Sequence, residues 1–555
     1  MDSACNFSKL LLPKEAADSY YMKNIRHQVD DFIYIDPVWY KQIFDPTTFY
    51  ILGPKGSGKT LYATYMCADI RNDTISKYHK ISVDDYGKII EMKNSGYLSF
   101  TDYSTIWKVI LLQKLLCSVD KSDFSFGGRT KNFKVIQNTL LEYFGYDVTR
   151  DDFNPVKEID SRGKQIEISN YLNSELDTKI TPTKKLANTF ALKNGTDEKI
   201  AENTHNTTET TRALYTDTWL QSIDVFKRTL ERISFKYNHF LFVDGLDVRP
   251  MEYSANEYGE CIGALIRAIY ELNTQVFGSM DRKNDRTFKI IALTRTDIFL
   301  NSNLVNVTSC INDNCVELDW TYSNENEFLY SNLYKMMNRV LGWDGKSPEM
   351  PVQKFFGFQI EQTNGRTISA ALWLQRLSRL RPRDIVVLLN YIQKECLARG
   401  RDNPDQSIIY SSNVIGKYSR YYMDQVKSEM QFSFSNAEID QVFDMLKTLK
   451  KARFSENEFI YMFNNFCNVH HAFRKRFEKH RKLIDVLYSL DVLGWVEFYE
   501  QYGKTITKTH WHYREIKAVD EHHSLPWLIF DEAPPVPKFV IHNGATKYLL
   551  GKFNK

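Results

Sequence analysis

The sequence predicts an α/β protein: a parallel sheet flanked by helices, followed by a helical region and a smaller α+β module. Three observations carry that expectation. Short apolar runs, which read as strands buried on both faces, recur at Thr48–Leu52, Phe240–Val243 and Phe288–Leu293. Segments of helical period lie between them, as in Cys261–Leu272, and such alternation builds a parallel sheet. After about residue 325 the apolar spacing becomes helical throughout.

Each element has its own local reason. The run Thr48–Leu52 stops at Gly53, and Cys315–Leu318 reads as one further strand, with Ile81–Val83 a weaker candidate. Arg381-Pro382-Arg383-Asp384 opens a helix with Pro382 in its first turn and Ile385, Leu388, Leu389 and Ile392 on one face. In the tail, helices are expected over Glu438–Lys450, Asn457–Cys467 and Lys482–Leu493, the last stopped by Gly494. Strands over Trp495–Tyr499 and Thr509–Arg514 then turn around Gly503, and three helices with a hairpin form a winged-helix pattern.

A chain of 555 residues exceeds one core. The expected division is a lead-in over 1–45, a nucleotide-type α/β domain over 46–325, a helical lid over 326–430 and the winged-helix-like module over 431–555. Residues about 118–215 are rich in Asn, Thr, Asp and Lys and read as an insertion in the α/β domain. Hydrophobic residues at 43%, charged residues at 25% and a net charge of +3 describe ordinary globular protein and leave any nucleic-acid role to a local basic cluster. The eight cysteines are scattered, with Cys310 and Cys315 the one close pair, so they read as reduced thiols rather than a disulfide framework or zinc site. No apolar leader or spanning stretch occurs, so a cytoplasmic location without stable membrane insertion is expected.

Gly53-Pro54-Lys55-Gly56-Ser57-Gly58-Lys59-Thr60 fits the G-x-x-x-x-G-K-[ST] phosphate loop without a departure. Gly56 and Gly58 allow the backbone to turn its amides, including that of Ser57, around phosphate. A helix starting near Gly58 adds its positive end. Lys59 reaches the β- and γ-phosphates as a point charge, and the Thr60 hydroxyl holds Mg²⁺. Downstream, Phe240–Val243 delivers the Asp244 carboxylate to a strand end, the position of a Walker B metal acid. Asp247 orients or deprotonates the attacking water; an ordinary Asp-Gly turn at Asp244 is the plainer alternative. Arg295, after the next strand, reads as a phosphate sensor or as the partner of Asp297 in a salt bridge. Arg381 and Arg383 read as lid contacts to a nucleotide or as solvated charge.

Together these motifs resemble the STAND ATPases, a branch of the AAA+ group. Asp244-Gly245-Leu246-Asp247 is similar to the NACHT-type Walker B, Thr294-Arg295 to sensor 1 and Arg381-Pro382-Arg383-Asp384 to the start of sensor 2. The order of KGSGKT, VDGLD, LTRTDIF, Leu318–Trp320, RPRD and Tyr418–Tyr422 resembles bacterial P-loop ATPases of defence or mobile-element loci over most of residues 45–430. The resemblance implies ATP with Mg²⁺ and an oligomerising switch that acts through copies of itself or an effector protein. Val248 stands where that family often has Glu, which implies slow turnover and leaves a non-catalytic, nucleotide-bound scaffold as an alternative.

The tail carries a basic run, Arg474, Lys475, Arg476, Arg481 and Lys482, ahead of and within its third helix. Such a cluster either contacts DNA phosphates, as in an initiator- or loader-like ATPase, or is a solvated or protein-docking face.

Overall fold

The computed structural model describes residues 6–144, 220–515 and 538–551, apart from short stretches such as 22–24, 91–99 and 250–253. Most of the expected insertion, residues 145–215, and Val248 lie outside the described residues.

The central sheet has five strands, all parallel. They are β1 (Tyr50–Leu52), β2 (Thr74–Lys80), β3 (Asn238–Asp244), β4 (Phe288–Thr294) and β5 (Cys315–Glu317), in the spatial order β2-β3-β4-β1-β5. The three apolar runs and Cys315–Leu318 are therefore strands, and β4 is buried along its whole length. The Ile81–Val83 candidate is corrected: the strand lies just before it, at β2, whose alternately polar residues pack on β3 at the sheet edge. The flanking helices include α1 (Lys59–Ala68), α2 (Phe100–Cys117) and α3 (Ala255–Glu271). A capping box between Ser254 and Glu257 starts α3.

The chain divides into two compact units, one of Met1–Phe44, Leu52–Ala68 and Thr308–Lys555, the other of Asp45–Ile51 and Asp69–Val307. In the second, α3 packs along α2, and the Trp107 indole N–H donates to the Cys261 carbonyl at 3.2 Å. After α3 the chain widens into one π-turn, Leu272–Phe277, that carries Asn273 inward. The Asn273 amide accepts from Ile290 N–H at 3.0 Å and donates to Ile290 C=O at 2.8 Å. It does for β4 what a neighbouring strand does two residues later, where Ala292 N–H donates to Phe49 C=O. Asn273→Leu orphans both groups in the core and should cost about 2–4 kcal/mol in urea unfolding; a loss below half that range would show that Ile290 finds other partners.

The first unit holds a two-stranded sheet, β6 (Gln359–Glu361) with β7 (Thr367–Ser369), and the helices α4 (Asn332–Val340), α5 (Pro382–Ala398) and α6 (Ser412–Met430). Its C-terminal part comprises α7 (Asn436–Lys447), β8 (Arg453–Ser455), α8 (Glu456–Val469), α9 (His471–Arg476), α10 (His480–Ser489), β9 (Leu493–Gln501), β10 (Lys504–His510), β11 (Lys538–Ile541) and α11 (Asn543–Leu550). The four strands form a sheet in the order β10-β9-β11-β8, antiparallel at each pairing.

Two local expectations change here. Gly494 does not stop the third helix, which ends at Ser489; Asp491, at φ +59°, turns the chain instead. Gly494 lies within β9, where a Cβ would meet the His510 carbonyl and the Trp511 ring, each at 2.8 Å. The second hairpin strand is Lys504–His510, so His512 and Arg514 sit in a short helix beyond it. Among the described residues, no helix is long and apolar enough to cross a membrane.

Candidate functional site

The glycine-rich loop joins β1 to α1. Gly56 and Gly58 adopt φ of +89° and +96°, the left-handed region that the motif reserves for glycine. Every carbonyl from Gly53 to Ser57 is taken. Lys59 Nζ donates to Gly53 O at 2.8 Å and to Pro54 O at 3.1 Å. Arg381 donates to Lys55 O and the Arg383 amide donates to Gly56 O, both at 3.2 Å. The Trp320 indole N–H donates to Ser57 O at 2.8 Å. With its carbonyls tied back in this way, the loop has amides at Gly56 and Gly58 that meet no acceptor among the described residues. The Ser57 hydroxyl is fully buried and unpartnered. The donor set fits a phosphate chain: free amides, an ammonium and the start of a ten-residue helix.

Trp320 is the brace least visible in sequence. It follows β5, is buried, and packs edge-on against Trp39 at 5.1 Å. Its tripeptide Leu318-Asp319-Trp320 carries no phosphate-binding signature, and only the fold brings it beneath Ser57.

Arg381 and Arg383 part company. Arg381 is buried and bonds Glu429 at 2.6 Å and Asp491 at 3.5 Å. Arg379, fully buried, shares Glu429 at 3.0 Å and lies 3.8 Å from Asp384. This network joins the start of α5 to α6 and to the turn after α10. It contains one more acid than base, and burial pushes the Asp491 carboxyl up to about 7 against the pull of Arg381 and Arg379. Tyr421 and Tyr422 complete it, donating to Asp384 Oδ1 at 3.0 Å and Asp491 O at 2.6 Å. Arg381 is thus a strut of the loop, a role missed by reading it as a nucleotide contact. Arg383 is half-buried, has no ion-pair partner among the described residues, and its Cβ lies 3.2 Å from where a Cβ on Gly56 would be. A further tie runs from Lys55 Nζ to Ser428 Oγ at 2.5 Å.

In the other unit, Asp244 ends β3 as expected. Its Oδ2 accepts from the Tyr78 hydroxyl at 3.0 Å and its Oδ1 from Gly245 N–H at 2.7 Å, so the turn and the strand-end carboxylate are both real. Gly245 is obligatory: φ is +94°, and a Cβ would fall 2.5 Å from the Ile81 carbonyl. Asp247 is half-buried in the following turn. Arg295 is buried and grips Asp297 with two bonds, at 2.9 and 2.5 Å, so the salt-bridge alternative describes this structure.

The basic run is also divided. Arg476 bonds Ser433 O and Glu438 and covers the Phe434 ring, and Arg481 bonds Glu456. Arg474, Lys475 and Lys482 are exposed without acid partners among the described residues. Two of the five charges are structural ties, and the cluster is smaller than its sequence suggests.

No protein-family model matches the chain, and a search of curated proteins finds no match.

Proposed function

We propose that the chain is a Mg²⁺-dependent, ATP-binding and ATP-hydrolysing conformational switch that works as an oligomer. Prokaryotic antiviral defence or mobile-element biology is the setting that the motif resemblance suggests. The observation that supports this best is the tying back of five consecutive carbonyls, Gly53 to Ser57, in a loop whose sequence is a complete phosphate motif. In this reading Lys59 leaves Gly53 O and Pro54 O for the phosphates, exchanging two carbonyl acceptors for stronger, charged ones. The free amides and the α1 N-terminus hold the same group, and Arg383 reads its charge. Thr60 and Asp244 are the residues for magnesium, which supplies charge neutralisation when bound. Asp247 is the candidate to position the attacking water. Because α5 and α6 grip the loop directly and Arg381 continues to Asp491, phosphate binding has a mechanical route to the C-terminal module.

Calorimetry with purified protein tests this. Wild type should bind ATP in a magnesium-dependent manner, and Lys59→Ala should weaken that binding by about 100-fold, or ~2.7 kcal/mol. Asp244→Asn should keep nucleotide affinity in the absence of metal while losing phosphate release. Absence of any magnesium-dependent nucleotide uptake by folded wild type would overturn the reading.

A further inference from the structure

Cys310 and Cys315 are the close pair among the cysteines, and the switch proposed above makes no use of them. Cys310 lies in the helix Val307–Asn314 and is 5% exposed, whereas Cys315 opens β5 and is half-buried. Both are free thiols. On one continuous α-helix, residues five apart point about 140° away from each other and do not touch. Here the helix passes directly into the strand between Asn314 and Cys315, and this change of backbone brings the second sulfur back to the first. The Cys315 Sγ donates to the Cys310 carbonyl at 3.4 Å, and the two thiols hydrogen-bond each other.

The contact makes the two sulfurs unequal. A hydrogen bond from Cys315 holds the Cys310 thiol below its ordinary pKa, against burial and the charge of Asp313. Burial and then the bond to Cys310 push the Cys315 thiol up. Cys310 is therefore the better nucleophile, since the thiolate is the reacting form, and Cys315 stays protonated in contact with it. Cys396 and Cys467 have no such neighbour to lower them, and burial pushes both up, Cys396 to about 11.

We propose that Cys310 and Cys315 are a hydroperoxide-reactive thiol pair that closes reversibly to a disulfide. The Cys310 thiolate attacks one oxygen of the hydroperoxide, the O–O bond breaks, and the leaving oxygen takes a proton and departs as an alcohol or water. This leaves a sulfenic acid on Cys310. The Cys315 sulfur attacks that acid, an S–S bond forms, and the S–O bond breaks to release hydroxide, which takes the Cys315 proton and leaves as water. The two sulfurs together give two electrons to one hydroperoxide. A dithiol reductant reverses the step through a mixed disulfide. Because the second sulfur is already in contact, closure outruns further oxidation to the irreversible sulfinic acid. The low exposure of Cys310 favours an oxidant near the size of water, such as hydrogen peroxide. This inference does not rest on nucleotide binding.

Hydrogen peroxide treatment of the full chain, followed by unfolding, alkylation of the remaining thiols and peptide mass mapping, tests it. Cys310 and Cys315 should escape alkylation together, in one peptide lighter by two hydrogens, on the order of 10-fold sooner than the buried Cys396 and Cys467 are modified. Dithiothreitol should restore both thiols. In Cys315→Ser, dimedone should capture Cys310 as the sulfenic acid. In Cys310→Ser, Cys315 should be modified no sooner than Cys396. The wild-type map decides the proposal even where a variant fails to fold. A pair oxidised no sooner than Cys396 and Cys467, thiols lost without being joined, a product that dithiothreitol does not reverse, or dimedone capture at Cys315 in Cys310→Ser would each overturn it.

Discussion

Arg381→Met should destabilise the protein by about 3–5 kcal/mol, the cost of removing one partner from a buried ionic network. Arg383→Ala, two residues along, should leave stability within about 0.5 kcal/mol of wild type. The contrast follows from burial and bonding. Arg381 holds Glu429, Asp491 and the Lys55 carbonyl, and without it two acids and a loop carbonyl remain in the interior. Asp491, already lifted to about 7, would be driven further toward its protonated form. A carboxyl whose folded pKa lies above its unfolded value destabilises as pH rises through that interval, so the Arg381→Met penalty should be larger at pH 7 than at pH 5. Arg381→Lys should fall between, since one ammonium cannot reach all three acceptors. Turnover should reverse the order of severity: Arg383→Ala should lower it on the order of 10–100-fold with the fold intact, as loss of a charge facing phosphate does. Urea unfolding at two pH values and a phosphate-release assay measure these effects. Equal stability of the two variants would show that Arg381 is not the strut described here.

Lys289→Met should stabilise the protein by about 3–5 kcal/mol at pH 7 and by much less at pH 10. Lys289 lies within β4, 1% exposed, with its ammonium 2.7 Å from the Asp45 carbonyl and over the Phe240 ring. Burial pulls its pKa down to about 7, with the Asp45 charge opposing. Between that value and the ordinary lysine range, the unfolded chain binds a proton that the folded chain does not. Wild-type stability from this group therefore rises as pH increases from about 7 toward about 10, by up to ~1.4 kcal/mol per unit. Methionine fills the same space with no charge to desolvate. Chemical unfolding of both proteins at pH 7 and pH 10 decides the matter, and an equal difference at the two pH values would refute it. His239, stacked on Phe288 and pushed down to about 3 by burial, acts at the other end of the scale: its stability contribution is lost as pH falls below about 6.5.

Elements that are apolar throughout were legible in advance. β3 and β4 follow from apolar runs that only Lys289 interrupts, and the turn after β1 from its glycines, because both depend on residues adjacent in sequence. β2 escapes a sequence reading because Ser76-Lys77 and His79-Lys80 put polar residues side by side within Thr74–Lys80, and such an edge strand differs little from a polar loop. Gly494 was read as a helix stop because glycine serves both there and where backbones approach closely, and only the positions of His510 and Trp511 distinguish the two. The loop braces were illegible for a different reason. Trp320 and Ser57 are 263 positions apart, and Arg381 and Lys55 are 326. No local pattern encodes which of many buried tryptophans or arginines will meet a given carbonyl.

That separation has a consequence during synthesis. The glycine-rich loop leaves the ribosome ahead of its braces, since Trp320, Arg381 and Glu429 are translated hundreds of residues after it. Domains commonly fold as they emerge, N-terminal first, but this loop must wait, its carbonyls unbraced, for residues translated 263 and 326 positions after it. A truncated or stalled product ending before residue 320 would contain the complete motif and still lack the framework that shapes it. If the loop takes a nucleotide as proposed, competence for it would follow the arrival of these braces and lag behind synthesis of the glycines that carry the motif.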